Sequence, residues 1–193
     1  MPRSIADRRA PDGGGTIVLG IDPGTLITGY GVVAVSGSSF QLLASGTILN
    51  RRDTPLPARL GVIYTGLIGI IARHHPHEVA IETAFYGKNA QSALKLGQAR
   101  GVSILAAVLH DLPLAEYAPR EIKKAVTGNG NASKDQVQYM VRAMLHPRPA
   151  SMKLDASDAI ATAICHLSRK PSAASRHTDW KAYIAAHPER VRR

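Results

Sequence analysis

Cysteine is nearly missing: Cys165 is the only one in 193 residues. That excludes an internal disulfide framework and fits a reducing compartment. Long apolar runs are missing too. None reaches the roughly 18–20 residues of a membrane span. The opening "MPRSIADRRAPDGGG" has no apolar stretch of the secretory kind. These absences predict a soluble cytoplasmic protein with no membrane partner. No internal repeat and no domain boundary interrupts residues 16–170, and the length suits one sizeable core rather than two. Acids are the scarce charge: 14 Asp and Glu stand against 24 Lys and Arg, a net charge of +10. Residues 169–193 hold seven of the basic residues and two of the acids. A surface of this sign favours a polyanion such as nucleic acid.

The Gly-rich segment 1–15 holds little apolar material and reads as a disordered arm. Residues 171–193 read as a basic tail, with a short helix around 180–186. Between them, 16–21, 28–35 and 40–49 are strand-like runs joined by the turn chemistry of "DPGTLI" and "SGSS", which predicts an antiparallel meander. The period then changes. Leu60, Ile63, Leu67, Ile70 and Ile71 recur at helical spacing behind Pro57. "EVAIE" (78–82) is a short buried strand, 89–109 a long helix, and "LPLAEYAP" a fifth strand. In the long helix Leu94, Leu105 and Leu109 read as core. Leu96, Ala99 and Val102 offer an apolar face whose partner, core or second copy, periodicity leaves open. Helices follow at 121–126, 133–145 and 155–168, with Ser133 and Gln136 placed for a capping box. The "TGNGN" stretch before Ser133 reads as a flexible loop able to close on DNA. Three meander strands followed by alternating helix and strand predict an α/β fold, a mixed five-stranded sheet flanked by helices.

Acids interrupt this apolar pattern at three places. Asp22 ends the first strand, Glu82 ends the fourth, and Asp155 and Asp158 lie in "LDASDAIATAI". Positions i and i+3 share a helix face, so the last two point the same way. If strands one and four are adjacent and parallel, Asp22 and Glu82 meet at their C-terminal ends, where ligand sites form in such sheets. Converging carboxylates repel and shift one another's pKa. Two Mg²⁺ ions resolve that conflict and, about 4 Å apart, clamp an in-line phosphoryl displacement. Each piece alone has an ordinary reading. Asp22-Pro23-Gly24 is also a turn, Glu82 also a surface acid, and Asp155 with Asp158 also an N-cap and a first-turn acid. The conjunction favours catalysis.

"LGIDPGTLITGYGVV", "AIETAFYGKNAQSALKLGQARG" and "LDASDAIATAI" resemble the RuvC family of Holliday-junction resolvases over about residues 16–168. The resemblance implies a ribonuclease-H-like fold and a homodimer that cuts two opposing strands of a four-way DNA junction by hydrolysis. It implies Mg²⁺, with Mn²⁺ able to substitute, held by Asp22, Glu82, Asp155 and Asp158. In some members the position of Asp155 is histidine. Phe85 falls where the family places an aromatic that stacks on bases at the junction centre, and Tyr86 is a rival for that role. An aromatic beside Lys88 and near acids also suits base stacking on physical grounds. Lys123 in "REIKKAV" and Lys134 in "NASKDQ" match residues that hold the DNA backbone or the scissile phosphate. Work beside the RuvA and RuvB branch-migration proteins is implied as well.

Other classes remain open at this stage. "GIDPGT" also resembles the first phosphate loop of the actin and heat-shock ATPase superfamily, although no second such segment occurs. A junction-binding protein without cleavage and an RNA-directed relative are two more.

Overall fold

The computed structural model describes residues 15–36, 39–83, 90–146 and 154–169. All of the arm but Gly15 and the whole tail, with its expected short helix, lie outside these residues, as do Phe85, Tyr86 and Lys88. The chain order is β1 (Ile17–Asp22), β2 (Ile27–Ser36), β3 (Ser39–Leu49), α1 (Leu56–His74), β4 (Glu78–Glu82), α2 (Ala90–Val108), β5 (Leu114–Tyr117), α3 (Pro119–Thr127), α4 (Lys134–Met144) and α5 (Leu154–Ser168). The sheet order is β3-β2-β1-β4-β5. β1, β2 and β3 pair antiparallel, whereas β1, β4 and β5 run parallel. This is the expected mixed five-stranded sheet.

β1 and β4 are central strands covered on both faces, which is why they read as nearly continuous apolar runs. Alternation divides their side chains. Leu19, Ile21, Val79 and Ile81 join Ile63, Leu67 and Ile71 of α1 and Ala99, Ala106 and Ala107 of α2 in one core. Val18, Ala80 and Tyr117 join α3, α4 and α5 in the other. With a period of two, Gly20 and Asp22 fall on the α5 face behind Val18, and Glu78 and Glu82 fall there on either side of Ala80. The sheet register therefore delivers both strand-end acids to the side on which α5 lies.

Glycine sets how close α5 comes. Gly20 and Gly31 are directly opposed across β1 and β2. A Cβ on Gly20 would stand 2.0 Å from the Ala159 carbonyl oxygen, and one on Gly31 2.5 Å from Ile160 Cγ1. The helix backbone thus rests on a bare patch of sheet, and Ala156, Ala159 and Ala163 on α5 are small enough to let it do so. A glycine inside a strand pattern is the usual trace of such a close approach.

The ends of the helices follow local rules. Pro57 lies in the first turn of α1, which ends in a left-handed His75 whose N–H bonds to the Ile71 carbonyl. Ser133 and Gln136 close the expected capping box on α4: the Gln136 N–H donates to Ser133 Oγ (3.2 Å) and the Ser133 N–H to Gln136 Oε1 (2.9 Å).

Three expectations need correction. Leu94 and Leu105 in α2, and Leu109 just past its end, are exposed, at 66%, 48% and 60%, while Ala99 is fully buried and Val102 packs against the core. The expectation that the three leucines are core is overturned, and Ala99 and Val102, on the face whose partner periodicity leaves open, point into the core. The helix is apolar on both sides, so only packing chooses between them. The "TGNGN" loop is tied down rather than loose. Gly128 ends α3 in the left-handed region, Thr127 Oγ1 donates to the Lys123 carbonyl (2.8 Å), and the Asn131 N–H donates to Asn129 Oδ1 (2.9 Å). Arg120 lies over Gly130, where a Cβ would meet its side chain at 2.6 Å. Finally, α1 is by length and composition apolar enough to cross a membrane. Its inward residues Ile63, Leu67 and Ile71 are buried against the sheet, and these core positions supply part of that apolar content.

Candidate active site

β1 and β4 pair in parallel up to Ile21 and Ile81, so Asp22 and Glu82 emerge side by side one residue further on. Both ends are fixed by hydrogen bonds, one set within a turn and the other to the neighbouring strand. After Asp22 the chain turns at Pro23-Gly24, where the buried Thr28 hydroxyl donates to the Gly24 carbonyl (2.7 Å) and accepts from its N–H (3.4 Å). Gly24 is required there, because a Cβ would come within 2.2 Å of the Ile27 carbonyl oxygen. After Glu82, the Thr83 N–H and hydroxyl both donate to the Tyr117 carbonyl (2.8 and 3.2 Å). Asp158 comes from the N-terminal part of α5, one residue before the Ala159 that rests on Gly20.

Electrostatics place these groups in one field. Burial, then Asp22, then Asp158 push the Glu82 carboxyl up to about 8, against the opposing pull of Lys134 and Lys123. Lys134 Nζ stands 3.4 Å from Asp158 Oδ2. That carboxylate, with Asp22 and Glu82 behind it, raises the ammonium's pKa. Five side chains from β1, β4, α3, α4 and α5 therefore share one field at the C-terminal ends of the central strands β1 and β4. The structure brings together Asp22, Glu82, Asp158, Lys123 and Lys134. The side chain of Asp155 lies outside the described residues, although its backbone is in the first turn of α5.

A second glutamate on the same strand and face makes the contrast. Glu78 sits at the opposite end of β4 and accepts from His166 Nε2 (2.5 Å), whose Nδ1 is 2.7 Å from the Tyr117 hydroxyl. The His166 hydrogen bond holds Glu78 below the ordinary carboxylate range. Arg169 lies 4.5 Å from the centre of the Tyr117 ring and pairs with Glu121 (2.5 Å). Glu78 is a satisfied structural acid, whereas Glu82 sits among other acids in a place that favours an added cation.

The donors fit a hard divalent ion: carboxylate oxygens, with no thiolate or imidazole among the acids named. Among the described residues no three His, Cys, Asp or Glu side chains already form a metal-holding group. A metal centre thus needs the remaining carboxylate of α5 or a small closing movement. Reading the residues in order missed Thr28, Thr83 and the Gly20–Gly31 pair. For the glycines the signal was present, as small residues inside strand patterns. The hydroxyls gave none, because only the turn geometry assigns their role.

A five-stranded mixed sheet with acids at the ends of its central parallel pair, faced by an acid-bearing helix, defines a ribonuclease-H-like nuclease fold. The family model described as "Crossover junction endodeoxyribonuclease RuvC" matches residues 18–166. A curated protein of that description from Salinibacter ruber is 44% identical over 176 residues, covering 91% of this chain and 98% of the relative. One from Vibrio vulnificus is 54% identical over 151 residues, covering 78% and 86%. Among solved structures, T. thermophilus RuvC in complex with Holliday junction substrate superposes with a TM-score of 0.74 at 33% identity, covering 79% of this chain and 93% of that one. The yeast mitochondrial resolvase Ydc2, at 14% identity and a TM-score of 0.61, shares the fold. The chain belongs to the crossover junction endodeoxyribonuclease RuvC family.

Proposed function

We propose that this chain is a structure-specific endonuclease of recombination and repair. It resolves four-way DNA junctions by paired, metal-dependent hydrolysis of two opposing strands. The observation that carries this reading is the meeting of Asp22, Glu82 and Asp158 with Lys123 and Lys134 at the C-terminal ends of the central strands of a basic RuvC-family chain. The acids, with Asp155 from the first turn of α5, would hold two Mg²⁺ ions, Mn²⁺ substituting. Bound there, such ions activate water and stabilise the leaving oxygen. Lys123 and Lys134 hold the phosphate against the acids. Phe85 or Tyr86 stacks on junction bases beside Lys88, a role supported by the family resemblance and by the fitness of an aromatic beside a lysine for base stacking.

A four-way junction has approximate two-fold symmetry, which a C₂ dimer matches with one site per cut strand. The exposed Leu94, Leu105 and Val108 of α2, with Leu109 just past its end, support a second copy as the cover of that face. RuvA and RuvB are the proposed partners by resemblance, in the cytoplasm. The arm 1–15 and tail 171–193 flank one nuclease unit, the tail adding nonspecific binding to phosphates.

The test is a mobile four-way junction incubated with protein and Mg²⁺. Symmetric nicks that disappear in Asp22→Asn support the reading. Binding without nicks by the intact protein refutes it.

A further inference from the structure

The acid cluster carries an internal cation. Lys134 is the first residue of α4, and its ammonium lies 3.4 Å from Asp158 Oδ2 and in the field of Asp22 and Glu82. It stands on the side of the site where an added cation would be drawn. Its side chain is 79% exposed, and α4 begins on the Ser133–Gln136 capping box rather than on this lysine. Breaking an exposed ion pair of this kind costs little.

We propose that Lys134 is the resident counter-ion of the acid cluster, displaced from Asp158 when a divalent cation enters. This inference rests on the acids being metal ligands. A doubly charged ion among the carboxylates repels the ammonium and takes over its partner. The freed lysine then faces the place where a phosphate must approach. Metal loading and phosphate capture become ordered events, because one side chain cannot serve Asp158 and a phosphate at once. Before loading, the same ion pair relieves part of the repulsion among Asp22, Glu82 and Asp158.

The consequence runs against the usual effect of deleting a site residue. Lys134→Met keeps the aliphatic stem and removes the competing charge. Mn²⁺ binding, followed by electron paramagnetic resonance without DNA, is expected to tighten about 3–10-fold in this variant at low salt. Lys124→Met removes an exposed charge from α3 and is expected to stay within about twofold of wild type. Asp158→Asn is expected to weaken binding. Equal or weaker Mn²⁺ binding by Lys134→Met overturns the proposal, as does equal tightening by Lys124→Met. If wild type and Asp158→Asn bind Mn²⁺ alike, the metal reading of the acids fails first, and the proposal with it.

Discussion

Glu82→Gln should stabilise the metal-free protein, and only above mildly acidic pH. The Glu82 carboxyl is moved from its ordinary 4.5 to about 8, chiefly by burial and then by Asp22 and Asp158. Between these values the folded chain keeps a proton that the unfolded chain has lost. Stability due to this group is therefore fully present below pH 4.5. It declines through pH 5–8 and is level above 8. Each pH step in that window costs about 1.4 kcal/mol at most, so the full loss is bounded at about 5 kcal/mol. Local relaxation and the nearby lysines reduce it, and about 1–3 kcal/mol is the expected size. Glutamine has the same shape and no charge to desolvate. Urea denaturation in EDTA at half-unit steps from pH 5 to 9 reads the difference directly. The two proteins should be of similar stability at pH 5, with the variant ahead by about 1–3 kcal/mol at pH 8.5. Excess Mg²⁺ should close the gap by stabilising the wild type alone. Parallel pH profiles would refute the electrostatic account of the site.

Gly20→Ala drives a methyl into the Ala159 carbonyl. A loss of about 2–4 kcal/mol in thermal or urea melts is expected, with nicking reduced further than binding because Asp158 moves with α5. His166→Ala removes the donor that holds Glu78 ionised. A destabilisation of about 1–3 kcal/mol at pH 7 is expected, shrinking as pH falls and Glu78 takes up a proton. Removal of residues 171–193 takes away five Lys and Arg. The slope of log affinity against log salt for junction DNA should become shallower by up to about 0.9 for each phosphate the tail had neutralised. An unchanged slope sinks the role given to the tail.

Most of the sheet was legible because alternation and turn residues are local signals. "DPG" and "SGSS" marked the meander, and the apolar runs of β1 and β4 announced strands buried on both faces. The pairing of Asp22 with Glu82 followed once β1 and β4 were placed side by side. Two things were not legible. The inward face of α2 was not, because Leu94 and Leu105 look as apolar as Ala99 and Val102 and only the packing chooses between them. Nor was the contrast between Glu78 and Glu82: both end the same strand on the same face, and His166, 88 residues from Glu78, decides which is satisfied. The glycines lay in plain view in "VLGID" and "GYGVV", yet their purpose depends on a helix more than 120 residues further along.

The claim that Asp22, Glu82 and Asp158 form one catalytic centre is tested most directly by three single amide variants: Asp22→Asn, Glu82→Gln and Asp158→Asn. Each should bind a four-way junction with near-native affinity in the presence of Ca²⁺ and lose strand cleavage in Mg²⁺ by at least about 100-fold. Cleavage within about tenfold of wild type by any one of them would contradict the account.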